Sequence, residues 1–241
     1  MRYGIFSDIH GNWEALQEVL QFYRKEGIND YICLGDIVGY GANPKECLDQ
    51  IRELNAACVA GNHDWAVSGR LNYENFHQSA KEAVEWTRGQ LTGEDMEFIN
   101  RLPLMFKNDD FVAVHGTLSE PENFHYMLYM SDARETFHLM ERQVCFVGHS
   151  HVPQILVRHG EKVVCSVKMS AEINPADQFI VNVGSVGQPR DGNPKASCCV
   201  YDTTERVLNI SRLSYDIQSA HINILKAGLP EDLAERLLVG M

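Results

Sequence analysis

Five short clusters of Asp, Asn and His recur in the first 151 residues: Asp8-Ile9-His10, Gly35-Asp36, Gly61-Asn62-His63-Asp64, His115-Gly116 and Gly148-His149-Ser150-His151. Each alone has an ordinary explanation, since Asp at a strand end often caps a helix and Asn, Asp and Gly build turns. Gly148-His149-Ser150-His151 is the hardest to explain that way, because two His on one tight turn rarely serve packing. Together, setting His63 and Asp64 aside, the clusters offer two Asp, one Asn and four His. Mixed oxygen and imidazole donors suit Zn, Mn or Fe better than Mg or Ca, and there are more of them than one tetrahedral site needs. One carboxylate bridging two ions would put them all to use. His63 is then the odd one out, held near the ions by its neighbour Asn62 without having to bind one.

Each cluster follows directly on a run that reads as a buried strand: Tyr3–Phe6, Tyr31–Leu34, Cys58–Ala60, Phe111–Val114 and Val144–Val147. In open α/β sheets ligands bind beyond the carboxyl ends of the strands, so parallel strands would bring the clusters together. Helical spacing predicts intervening helices from Trp13 to Tyr23, ended by Gly27, and over Pro44–Leu54, Phe76–Leu91, Asp95–Leu102 and Asp132–Glu141. Beyond residue 151 short strands dominate, at Ile155–Arg158, Val163–Val167, Phe179–Val183, Cys198–Asp202 and Val207–Leu213. Two helices close the chain near Asp216–Lys226 and Pro230–Val239. This order, α/β first and β-rich later, suits two sheets packed face to face under flanking helices.

The chain has 241 residues, 44% hydrophobic and 22% charged, which is enough apolar material for a sizeable core. A net charge of −12 disfavours a partner such as extended nucleic acid, which needs a basic field. No run of about 18 apolar residues suggests a membrane span. The amino terminus turns polar at Ser7-Asp8, too early for a signal peptide, so a cytoplasmic location is expected. The seven Cys form no C-x-x-C pair and sit mostly in apolar runs, as reduced thiols do.

The motif series, from residue 3 to about 190, closely resembles the calcineurin-like metallophosphoesterases, in particular the small bacterial phosphodiesterase and dinucleoside-polyphosphatase-like members. The resemblance implies an α/β fold, a four-layer α-β-β-α sandwich of two mixed β-sheets. We expect a single domain over 1–241, with a small cap segment at about 116–143. The resemblance also implies that Asp8, His10, Asp36 and His151 hold one metal ion. Asp36, Asn62, His115 and His149 would hold the other, with Asp36 bridging. The segment Asn182 to Arg190 is similar to the one that follows the double-His motif in small bacterial members. One departure matters. The phosphoprotein phosphatase branch carries a second Asp, then Arg, after Gly-Asp, where this chain has Gly39 and Tyr40. A protein serine/threonine phosphatase is therefore not expected.

The expected function is a metal-dependent phosphohydrolase cleaving phosphoester or phosphoanhydride bonds with a hydroxide shared by two ions of Mn, Fe, Zn, Co or Ni. Asp36 and His63 are the catalytic candidates, His63 as general acid toward the leaving oxygen. Inorganic phosphate is an expected product. Four residues are candidate substrate contacts. Asn12 stands at a helix start, and Arg190 follows a Gly-rich turn. His125 and Tyr126 lie in Thr117–Met130, an overhanging stretch with aromatics and no Lys or Arg, which suits a base or aryl group. A small nucleotide-like phosphoester is the expected substrate. Two alternatives fit less well. A non-catalytic protein-binding scaffold would have broken motifs, and a nuclease would need a basic groove. His77, His138, His159 and His221 are expected at the surface or in caps. Exposed edge strands or the C-terminal helices are where a homo-oligomer would form.

Overall fold

The computed structural model describes residues 1–241. The chain begins β1 (Arg2–Phe6), α1 (Trp13–Lys25), β2 (Asp30–Cys33), α2 (Pro44–Glu53), β3 (Ala57–Cys58) and α3 (Asn62–Ser68). It continues α4 (Gln78–Gln90), α5 (Gly93–Asn100), β4 (Met105–Lys107), β5 (Phe111–Val114), α6 (Met130–Leu139) and β6 (Val144–Val147). Six strands follow: β7 (Gln154–His159), β8 (Lys162–Cys165), β9 (Ser170–Glu172), β10 (Asp177–Asn182), β11 (Ala196–Asp202) and β12 (Val207–Leu213). The chain closes with α7 (Ile217–Lys226) and α8 (Glu231–Val239).

Two mixed sheets result, in the orders β3-β2-β1-β11-β12-β9 and β4-β5-β6-β10-β7-β8. Strands β1, β2 and β3 run parallel in the first sheet, as do β5, β6 and β10 in the second. Successive strand residues point to opposite faces, and both faces are covered here. Tyr3 and Ile5 of β1, Phe111 of β5, Phe146 of β6 and Tyr201 of β11 meet in the core between the sheets. Their alternates turn outward. Phe6 and Cys198 pack with Leu16, Val19 and Tyr23 of α1 and with Leu48 of α2. Val112, Cys145 and Ile180 pack with Ala133 and Phe137 of α6. Burial on both faces explains why these strands read as continuous apolar runs rather than alternating ones. The architecture is the expected four-layer α/β sandwich.

Several elements differ from the sequence expectation. The strands bearing the Asp and His clusters belong to both sheets, and the clusters meet because the carboxyl ends of the two sheets lie together. Gly61-Asn62-His63-Asp64 does not form a free turn but opens α3. Strand β3 has shrunk to two residues, and the short edge strands β4 and β9 were not predicted. Residues 116–143 do not form one cap. Only the stretch around Phe124 and Tyr126 reaches the site, whereas α6 forms the outer layer over the second sheet. No helix is long and apolar enough to cross a membrane.

Candidate metal centre

Asp8 and His10 follow β1, Asp36 follows β2, Asn62 opens α3, His115 follows β5, and His149 and His151 follow β6. All seven are buried. Five of them, Asp8, His10, Asp36, His149 and His151, have φ between 49° and 66°, a region that costs a non-glycine residue on the order of 1–3 kcal/mol. Cross-loop bonds hold part of this strained backbone: the Asp8 amide donates to the Gly35 carbonyl at 3.0 Å, and the His10 amide to that of Asp36 at 2.9 Å. Glycine is required where these loops touch. A Cβ on Gly61 would collide with Asp36 Oδ1, and one on Gly148 with Ser7 Oγ.

The donor atoms converge in two groups, Asp8, His10, Asp36 and His151, and Asp36, His115 and His149, each with its donors within 4.8 Å of one another. Asp36 Oδ2 lies 3.5 Å from His10 Nε2 and 3.4 Å from His115 Nε2, so it stands in both. Asn62 Oδ1 joins the second group, 3.2 Å from His115 Nε2. The Nδ1 atoms of His10, His115 and His151 face the carbonyls of Val38, Leu34 and Gln188 and donate to them. That arrangement fixes the tautomer and leaves the Nε2 lone pairs pointing inward. His10 Nε2 then faces His151 Nε2 at 3.1 Å, and His115 Nε2 faces His149 Nδ1 at 3.1 Å. Such pairs repel unless a proton or a cation lies between them. Asp8 Oδ1 and His149 Nε2 are buried with no hydrogen-bond partner. This donor set therefore fits transition-metal ions, and the buried His/Asp groups could hold them.

The electrostatics agree. Burial alone would favour neutral groups, yet His115 and the other nearby imidazoles hold Asp36 well below the usual carboxylate range. Burial opposes charge on His115 as well, but Asp36 and Asp8 and the bond to Leu34 raise its pKa to about 9. His10 and His149 are pushed well down, chiefly by burial.

His63 stands beside this centre. Its backbone N–H donates to Asp36 Oδ1 at 2.8 Å. Its ring lies between those of Tyr40 and Phe76, at centroid distances of 4.4 and 5.1 Å, and its Nδ1 is buried without a partner. A cleft of about 450 Å³ opens over His63, Asn62 and His149, with Phe76, Tyr126 and Asn72 in its walls. Tyr126 stacks on His149 with centroids 3.8 Å apart. Arg190 reaches the rim, where it donates to Gln188 Oε1 at 2.9 Å and to the Tyr40 hydroxyl at 3.4 Å.

Two expected substrate contacts are placed otherwise. Asn12 caps α1 through its bond from the Ala15 amide, and its Nδ2 donates to the Gly187 carbonyl and the Tyr215 hydroxyl, so no polar atom is left for a phosphate. His125 turns outward and pairs with Glu120. His77 is exposed at the N-cap of α4, as expected, and also lines the cleft. Sequence reasoning also passed over Asp64, whose carboxylate accepts from the amides of Asp36, Ile37, Val38 and Gly61 and so ties the second loop to the third. Its place at the end of Gly61-Asn62-His63-Asp64 was the available signal.

Residues 1–206 match the calcineurin-like phosphoesterase superfamily domain. The chain belongs to that superfamily. This phosphoesterase, a hydrolase, is 39% identical to MJ0912 of Methanocaldococcus jannaschii over 98% of its own length and 97% of that protein's. The crystal structure of a metallophosphoesterase from Sphaerobacter thermophilus superposes with a TM-score of 0.88 at 35% identity, covering 100% of this chain and 99% of that one. The phosphodiesterase YfcE of Escherichia coli is 26% identical over 78% of this chain and 80% of its own.

Proposed function

We propose that this phosphoesterase hydrolyses small nucleotide-like phosphoesters or phosphoanhydrides at a centre of two transition-metal ions. Asp8, His10, Asp36 and His151 hold one ion, and Asp36, Asn62, His115 and His149 the other. The observation that carries this reading is the pair of inward-facing imidazole contacts, His10 with His151 and His115 with His149, joined through the one carboxylate of Asp36. Mn, Fe, Zn, Co or Ni suits such donors, and when bound these ions supply Lewis-acid polarisation of the phosphoryl group and an activated water.

The chain's own residues do the rest. Asp36 positions both donor groups and, through its Oδ1, the backbone of His63. With Nδ1 buried against Gly39, His63 presents Nε2 to the cleft, where it protonates the leaving oxygen. Arg190 supplies a guanidinium for a phosphoryl oxygen at the rim. Phe76 and Tyr126 offer ring faces for a base or aryl group, and the cleft's volume falls within the roughly 300–1,000 Å³ of small-molecule sites. Likeness to the phosphodiesterase YfcE favours a diester among the candidate bonds. We read residues 1–241 as one domain. All seven cysteines are free and six are buried, in keeping with a reducing, cytoplasmic setting.

The test is metal analysis of the purified protein, followed by assay on p-nitrophenyl phosphate, bis-p-nitrophenyl phosphate and diadenosine tetraphosphate. Chelation should abolish turnover, and Asp36→Asn should lose bound metal and turnover together. An Asp36→Asn protein with wild-type metal content and rate would overturn the shared-carboxylate centre.

A further inference from the structure

Beyond Tyr40 and Tyr126 the cleft continues into a second lobe of about 520 Å³. Tyr40, His77, Ala80 and Tyr126 line both lobes. The two differ in charge. The first has rings and amides in its walls and neither Lys nor Arg, whereas the second contains Arg190 and Arg236. Arg236 comes from α8, beyond the residues that match the superfamily domain. The C-terminal helices α7 and α8 bring it there by packing on α4, through Ala220, Leu233 and Leu237 against Ala80 and Ala83.

Both guanidinium groups converge on one neutral atom. Gln188 Oε1 accepts from Arg190 at 2.9 Å and from Arg236 at 3.5 Å. Asp232 is the one side-chain carboxylate in the lobe, 3.8 Å from Arg236 and already bonded to the Ser79 hydroxyl. Two guanidinium groups thus stand beside one side-chain carboxylate in a chain of net charge −12. Like charges gathered around one amide oxygen repel, and Arg190 Nε is also buried without a partner. An anion bound between the arginines would resolve both features. The lobe is near enough to serve the reaction, because a single ring, Tyr40, packs on His10 at 4.5 Å and on His63 at 4.4 Å while its hydroxyl accepts from Arg190.

We propose that Arg190 and Arg236 form a subsite for a second phosphoryl group beyond the one attacked. The substrate class is then a nucleoside di- or polyphosphate type rather than a lone monoester. This deepens the phosphohydrolase reading and rests on it. Arg236 acts as a specificity-determining residue supplied by the C-terminal helices.

Calorimetric titration of the manganese-loaded protein with AMP and with ADP tests it, on wild type, Arg236→Ala and Arg236→Lys, with melting temperatures and bis-p-nitrophenyl phosphate turnover recorded alongside. Wild type should bind ADP about tenfold more tightly than AMP, the scale of one charge-assisted hydrogen bond. Arg236→Ala should erase that preference, and Arg236→Lys should restore part of it. Equal affinity for AMP and ADP in wild type, failure of ADP to bind, or a preference that survives Arg236→Ala overturns the subsite. So does an Arg236→Ala protein that loses both affinities equally along with several degrees of melting temperature, which marks the arginine as a structural strut. Absence of turnover on every ester by the loaded wild type counts instead against the phosphohydrolase reading, while the AMP-to-ADP ratio still reports on the subsite.

Discussion

His63 is oriented without a side-chain hydrogen bond. The phosphoprotein branch places an Asp where this chain has Gly39, and a Cβ there would lie 2.8 Å from His63 Nδ1. Ring contacts with Tyr40 and Phe76, and the backbone bond to Asp36, take over the orienting role. This arrangement has an electrostatic consequence. Burial pushes the His63 pKa down to about 4, and Arg190 adds to the shift against the opposing charge of Asp36. His63 is thus neutral at pH 7 in the chain alone, and a role as acid requires that an anionic substrate beside the ring raise this pKa. For His63→Ala we expect a roughly 10²–10⁴-fold loss on esters with poor leaving groups and a much smaller loss on p-nitrophenyl esters. Rates measured across a series of leaving groups check this, and equal slowing along the series would leave His63 no role as an acid.

At the scale of elements, α3 matters most. It is only seven residues long, yet its first turn carries Asn62 and His63 toward the site and Asp64 back toward the second loop. Asp64 Oδ2 accepts from the amides of Asp36 and Gly61 at 2.8 and 3.0 Å, and Oδ1 from those of Ile37 and Val38 at 2.9 and 3.3 Å. Burial and the charge of Asp36 raise its pKa to about 7, while the four amides stabilise the carboxylate against that rise. Asp64→Asn keeps the shape but turns an NH₂ toward two of the amides. Each orphaned buried donor costs about 1–3 kcal/mol, so for two we expect roughly 2–6 kcal/mol of destabilisation and weaker metal retention. Urea unfolding together with metal analysis would detect both, and a stability unchanged from wild type would show that Asp64 does not clamp the loop. Cluster order and strand runs made most of the site's ligand candidates legible in the sequence. The clamp was not, because it joins a helix start to a loop 28 residues earlier.

The whole molecule sets how the site responds to pH. The folded-state pKa of His115, about 9, lies above its ordinary value of about 6.5. Its stabilising contribution is therefore full below about pH 6.5 and is lost as pH rises through about 9. His10, His63, His149 and His151 are shifted the other way, mainly by burial, and each costs stability as pH falls below about 6.5. Chelator-treated protein should have its highest melting temperature near that pH and lose stability on both sides. Added manganese should remove the alkaline loss, since a cation takes over from the proton on His115. A melting temperature of the chelated protein that is flat from pH 6.5 to 9 would contradict the charge assigned to His115. Sequence by itself determined the chemistry on offer: the Asp, Asn and His donors, and the buried strands that end just before them, because both follow from local spacing and from short continuous apolar runs. It did not determine which groups meet. That His77 lines the cleft while Asn12 and His125 do not, and that Arg236 arrives beside Arg190, were decided by the stacking of two sheets and the docking of α7 and α8. Those contacts link residues far apart in the chain, and no local pattern encodes them.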